Sequence, residues 1–99
     1  MIQIRARGPD TAEILVHEPI GADIFGDGLT SKRFVEELNR LGAVRELLVR
    51  INSPGGAVSD GIAIYNALKE HPARIEVLVE GLAASIASVI AMAGDRIRM

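Results

Sequence analysis

Ile2, Ile4 and Ala6 alternate with Gln3, Arg5 and Arg7 at the start of the chain. A period of two sends the two sets to opposite faces of an extended backbone, so this stretch predicts a strand. Gly8-Pro9-Asp10 carries turn chemistry. Thr11 to His17, centred on Ile14-Leu15-Val16, predicts a second strand able to form a hairpin with the first. Gly21 to Gly28, rich in glycine and aspartate, predicts a loop. The period then changes. Phe34, Leu38 and Leu41 fall at helical spacing, with Lys32, Arg33, Glu36, Glu37 and Arg40 mostly on the wet side. Thr30 is placed to cap that helix, and Gly42 to end it.

Leu47 to Ile51 predicts a short apolar strand interrupted by Arg50, and Asn52-Ser53-Pro54-Gly55-Gly56 stops it. A helix follows over about Val58 to Glu70, with Val58, Ile62, Tyr65 and Leu68 on one face and His71-Pro72 at its end. Ile75, Val77 and Val79 mark another strand, broken at Gly81. Ala84 to Ala93 then predicts a buried helix, and Gly94-Asp95 turns into a last strand, Arg96 to Met99. The order β-β-α-β-α-β-α-β predicts an α/β fold with a mostly parallel sheet, flanked by helices and joined by right-handed crossovers. Because the chain stops on a strand, a single partial domain over 1–99 is expected, incomplete at its C-terminus.

Composition narrows the function classes. An apolar share of 48% and a charged share of 24% suit an ordinary globular domain. Phe25, Phe34 and Tyr65 are its aromatic residues, so the core must be aliphatic. The net charge of −2 comes from interspersed acids and bases, with no basic stripe to bind nucleic acid. Without cysteine there are no disulfides and no thiolate metal sites, and the redox compartment stays open. The start MIQIRARG lacks the apolar core of a secretion signal. The longest apolar run, Leu82 to Ala93, is interrupted by Ser85 and Ser88 and falls short of the roughly 20 residues that span a bilayer. A cytoplasmic protein that contacts no membrane is expected. No motif suggests a metal or a cofactor.

Two loops stand at carboxyl ends of predicted parallel strands, where sites gather in such sheets: Asn52–Gly56 and Gly81–Ser85. Ser85 opens a helix directly after a strand, an arrangement that can expose a nucleophile and set it near the positive end of a helix dipole. Attack by serine needs backbone amides aimed at the developing oxyanion. Gly55-Gly56 can supply one, since no side chain blocks close approach, and Ile86 can supply the other. Ala83, Ala84 and Ala87 are small enough to admit a substrate backbone. Ala83 and Ala87 occupy the glycine positions of a G-x-S-x-G elbow, so that motif is absent. The alternative for Ser85 is a packing role, with its hydroxyl bonded to a carbonyl one turn back. Ser88 and Ser53 read as structural, and Asp60 and Asn66 as residues of a solvated helix face.

INSPGGAVSDGIAIYNAL (Ile51–Leu68), followed by GLAASIASVIAMAGDRI (Gly81–Ile97), resembles the Clp-type serine peptidases, the ClpP-like branch of the crotonase-like fold. The resemblance is close from about Leu47 to Met99. The earlier stretch Ile20–Gly42 is more similar to phage and prophage members that process capsid proteins during head maturation. Residue by residue, the resemblance makes Ser85 the nucleophile and gives the oxyanion role to the Gly56 and Ile86 amides. Gly55 and Ala84 would line the bound peptide. It further implies a protein substrate such as a capsid or scaffold protein, a homo-oligomer, an unfoldase partner and location in host cytoplasm. The family's catalytic histidine and aspartate lie beyond the strand that begins near Arg96, and His17 and His71 match neither. The chain alone is therefore expected to be an inactive front half of the peptidase. Two alternatives remain: a non-catalytic remnant that assembles with itself or with an intact subunit, and a crotonase-like acyl-CoA enzyme.

Overall fold

The expected eight elements appear in the expected order: β1 (Gln3–Ala6), β2 (Thr11–Val16), α1 (Ser31–Arg40), β3 (Glu46–Ser53), α2 (Val58–Glu70), β4 (Arg74–Ala83), α3 (Ile86–Ala91) and β5 (Arg96–Arg98). They belong to a computed structural model that describes residues 3–21 and 28–99. Ile2 and positions 22–27 of the expected glycine- and aspartate-rich loop lie outside the described residues.

The strands form one sheet in chain order, β1-β2-β3-β4-β5. β1 is antiparallel to β2, and every later neighbour is parallel. Right-handed crossovers between strands laid down in sequence put α1, α2 and α3 on one face. Alternation fits that: Leu47, Val49, Ile51 and Ser53 of β3 are all buried. Ile14, Val49 and Val77 pair in register across three strands, each with no exposed surface. Phe34 and Leu38 of α1, Ile64 and Leu68 of α2, and Ile90 of α3 complete that core. Each such large side chain contributes roughly 1.5–3 kcal/mol by leaving water. The cap of α1 is as expected: Thr30 Oγ1 accepts the Arg33 N–H at 3.3 Å.

The other face of the sheet carries an ion ladder. Arg5 pairs with Glu13, Arg50 grips Glu80 through two nitrogens at 2.9 and 2.6 Å, and His17 Nε2 meets Glu80 at 2.9 Å. The Arg50 guanidinium, with help from His17, holds the Glu80 carboxyl below the ordinary carboxylate value.

Three expectations are corrected. Gly81 does not break β4, which runs on to Ala83 because its partner β3 extends to Ser53 and pairs with it there. α3 is six residues rather than ten and is not fully buried: Ser88, Val89 and Met92 are exposed. The inward face of α2 is Gly61, Ile64 and Leu68, while Val58 and Ile62 are exposed. A Cβ on Gly61 would overlap the Ile86 side chain. Close approach of α3 along that glycine goes with Ile64 and Leu68, not Val58 and Ile62, facing the core.

His71 ends α2, and its Nδ1 accepts the Ala73 N–H at 3.0 Å. Burial holds its imidazole below the ordinary value of 6.5. A depressed value means that the folded chain resists protonation more than the unfolded one. Stability is then present above about pH 6.5 and is lost as pH falls through the folded value. The denaturant midpoint is expected to fall between about pH 7 and pH 5 in wild type. In His71→Asn, whose carbonyl can keep the Ala73 bond without titrating, the fall should be smaller. Equal falls in both proteins would rule His71 out as the cause.

Candidate active site

β4 delivers Ala83, Ala84 and Ser85 to the carboxyl edge of the sheet, and α3 starts at the next residue. Ser85 has φ 53° and ψ −126°, and is the only non-glycine residue with positive φ among those described. Strain of this kind in a residue with a Cβ costs of order 1–3 kcal/mol and points to a constraint other than folding. The backbone therefore makes a sharp strand-to-helix turn although Ala83 and Ala87 replace the glycines of the usual motif.

Ser85 is exposed, and its hydroxyl does not cap α3. The hydroxyl-to-carbonyl bond weighed for it is made by exposed Ser88, whose hydroxyl donates to the Ser85 carbonyl at 2.6 Å. Ser88 N–H donates to the same oxygen at 3.0 Å. Two bonds to one carbonyl hold the strained turn in place.

The double-glycine bend lies against this turn. Gly55 has φ +95°, and a Cβ placed on it would stand 2.6 Å from the Ala84 carbonyl oxygen, 2.9 Å from Ser85 Cβ and 3.3 Å from the Ile86 nitrogen. Only glycine allows that approach. Ile20 holds the bend from beneath: its N–H donates to Gly55 C=O, and its C=O accepts the Ala57 N–H, both at 2.9 Å. That pairing steps over Gly56. Among the described residues, neither the Gly56 N–H nor the Ile86 N–H donates to a backbone or side-chain acceptor. The geometry thus brings Ser85, Gly55 and Ile86 into contact distance, with Gly56 next in chain and Ala84 packed on the bend. With α3 only six residues long, the helix dipole adds little, and the two amides are the main donors available for an oxyanion.

Both histidines are engaged elsewhere, His17 with Glu80 on the ladder face and His71 with Ala73 at the opposite edge of the sheet. Three supporting residues escaped the sequence reading. Gly61 seats α3 by its closeness to Ile86. A lone glycine inside a helix, about 1 kcal/mol worse than alanine, is the signal that could have found it. Asp60, expected on a solvated face, accepts the Ser31 N–H at 2.8 Å and ties α2 to the first turn of α1. Ser53, read as a turn residue, is fully buried and bonded on both sides of its hydroxyl.

The sequence model of the Clp protease family matches residues 27–99. The chain belongs to the Clp protease family. Over 52 residues this Clp-family chain is 46% identical to the ATP-dependent Clp protease proteolytic subunit of Ligilactobacillus salivarius, covering 52% of the chain and 26% of that relative. Over 93 residues it is 31% identical to the chloroplastic proteolytic subunit 3 of Arabidopsis thaliana, covering 88% of the chain and 29% of that protein. The fold is that of ClpP1 from Listeria monocytogenes, with a TM-score of 0.70 at 23% identity, over 83% of this chain and 46% of the other. The Clp-family chain spans less than half the length of each of these. Among the described residues no helix is long and apolar enough to cross a membrane.

Proposed function

We propose that this chain carries the nucleophile and oxyanion half of a Clp-type serine endopeptidase. Ser85 Oγ attacks the scissile carbonyl of a peptide. The Gly56 and Ile86 amides receive the developing oxyanion, and Gly55 and Ala84 form the wall along which the peptide backbone lies. The observation that carries this is the exposed, strained Ser85 set against a glycine bend, with two undonated amides beside it. A serine hydroxyl is a weak nucleophile until a base removes its proton. Neither His17 nor His71 stands with Ser85, so residues 1–99 alone, a partial domain, are inactive toward peptides. An acyl-CoA enzyme of crotonase type would give no reason for strain at a serine.

The physiological substrate, on the likeness of Ile20–Gly42 to phage and prophage members, is a capsid or scaffold protein cleaved during head maturation in host cytoplasm. The working form is a homo-oligomer fed by an unfoldase. Exposed Leu82, Val89, Met92 and Ile97 also favour a second reading, an assembly element that joins an intact subunit.

Long exposure to excess fluorophosphonate, followed by peptide mapping, tests the first reading. Ser85 is expected to be modified well ahead of Ser31, Ser53, Ser59 and Ser88. The preference should vanish in Ser85→Ala, while a fluorogenic peptide shows no turnover in either protein. Equal modification of all the serines would sink the nucleophile assignment, and turnover dependent on Ser85 would sink the inactivity of the chain alone.

A further inference from the structure

Ser53 ends β3 with no accessible surface, yet it carries a hydroxyl. Three segments meet on it. The hydroxyl donates to the Glu18 carbonyl, two residues past β2, at 2.8 Å, and accepts the Gly55 N–H at 3.2 Å. Its own carbonyl accepts the Ala84 N–H at 3.1 Å. The register between β3 and β4 shifts between Ile51 and Ser53, which sets Ser53 opposite Ala83, two residues before the nucleophile. Ser53 thus holds both sides of the candidate site, the glycine bend through its side chain and the approach to Ser85 through its backbone.

We propose that Ser53 is a positioning residue of the serine site, its hydroxyl fixing the bend that bears the Gly56 amide against Ser85. The assignment rests on the peptidase reading of Ser85 and Gly56. A hydroxyl is the smallest side-chain group that donates and accepts at once. Alanine removes both bonds while leaving the backbone bond to Ala84, so the two halves of the site can drift apart without unfolding the sheet.

The test is amide hydrogen exchange and fluorophosphonate modification of the chain, both read residue by residue. In Ser53→Ala, exchange at Gly55 is expected to rise about tenfold, the equivalent of one lost hydrogen bond, with Val49 and Val77 unchanged. Modification of Ser85 is expected to fall by about the same factor. Ser53→Cys keeps the shape but hydrogen-bonds only weakly, and should behave like Ser53→Ala. Ser53→Thr keeps the hydroxyl and should recover both readouts. Exchange rising equally at Gly55, Val49 and Val77 would reduce Ser53 to a general prop and overturn the proposal. Wild-type exchange at Gly55 in Ser53→Ala, or wild-type behaviour of Ser53→Cys, would overturn it too. If wild-type Ser85 is modified no faster than the other serines, the peptidase reading fails, and exchange at Gly55 decides the role of Ser53 by itself.

Discussion

Gly55→Ala is expected to abolish the preferential modification of Ser85 and to destabilise the fold by about 3 kcal/mol. Two costs combine. The φ of +95° is a conformation that a residue with a Cβ adopts only under strain. The new methyl also meets the Ala84 carbonyl oxygen at 2.6 Å and Ser85 Cβ at 2.9 Å. Its neighbours are backbone and a Cβ, not the mobile end of a long side chain, so the bend or the turn must move. Either movement carries the Gly56 amide away from Ser85. A serine site that lacks its base retains a rate roughly 10³-fold above the uncatalysed reaction through oxyanion donors and binding, and losing one donor costs about 10²–10³. Almost all of the preference for Ser85 should therefore go. Gly42→Ala is the control: its φ is +69°, but nothing lies within 4 Å of the added methyl. It should cost about 1 kcal/mol and leave Ser85 modification untouched. Guanidinium denaturation and peptide mapping measure both effects. If Gly55→Ala behaves like Gly42→Ala, the bend does not bear on the serine.

Most of the fold was legible because its elements advertise themselves through period and punctuation. The alternation at Ile75, Val77 and Val79, the helical spacing of Phe34 and Leu38, and the cap at Thr30 are local signals, and the local structure follows them. What failed depended on neighbours. Glycine at position 81 is a strand breaker by propensity, but a paired strand on one side carries β4 through it. Val58 and Ile62 of the expected α2 face are exposed, because Gly61 lets Ile86 in and the helix buries Ile64 and Leu68 instead. The same distinction holds for the site. Ser85, Gly55 and Gly56 stood out because each lies in a short contiguous loop at the carboxyl end of a predicted strand, and both loops carry the family resemblance. Asp60 bonds to a segment 29 positions away, and the Ser53 hydroxyl joins its own bend to a segment 35 positions away, which no window along the sequence contains. The positive φ of Ser85 was invisible for another reason: serine ordinarily avoids it, so nothing in the residue type announces it.

That φ supports the second large effect. Ser85→Gly is expected to stabilise the fold by about 1 kcal/mol, raising the thermal midpoint by roughly 5 °C. Glycine takes up φ 53° and ψ −126° without strain, which removes about 1–3 kcal/mol of cost. Against that stands the extra freedom of glycine in the unfolded chain, about 0.5–1 kcal/mol. No hydrogen bond of the side chain is lost, because the Ser85 hydroxyl caps nothing in α3. Ser85→Ala keeps the Cβ and the strain, and should stay within about 0.5 kcal/mol of wild type. The two variants share the loss of the nucleophile and differ in one methyl group and in backbone freedom, so their difference measures the strain less the extra unfolded-state freedom of glycine. Strain kept at an exposed position is a cost that packing alone does not explain. Should Ser85→Gly prove less stable than Ser85→Ala, as glycine is at ordinary positions, the turn carries no strain. The main physical reason for singling out this serine then disappears.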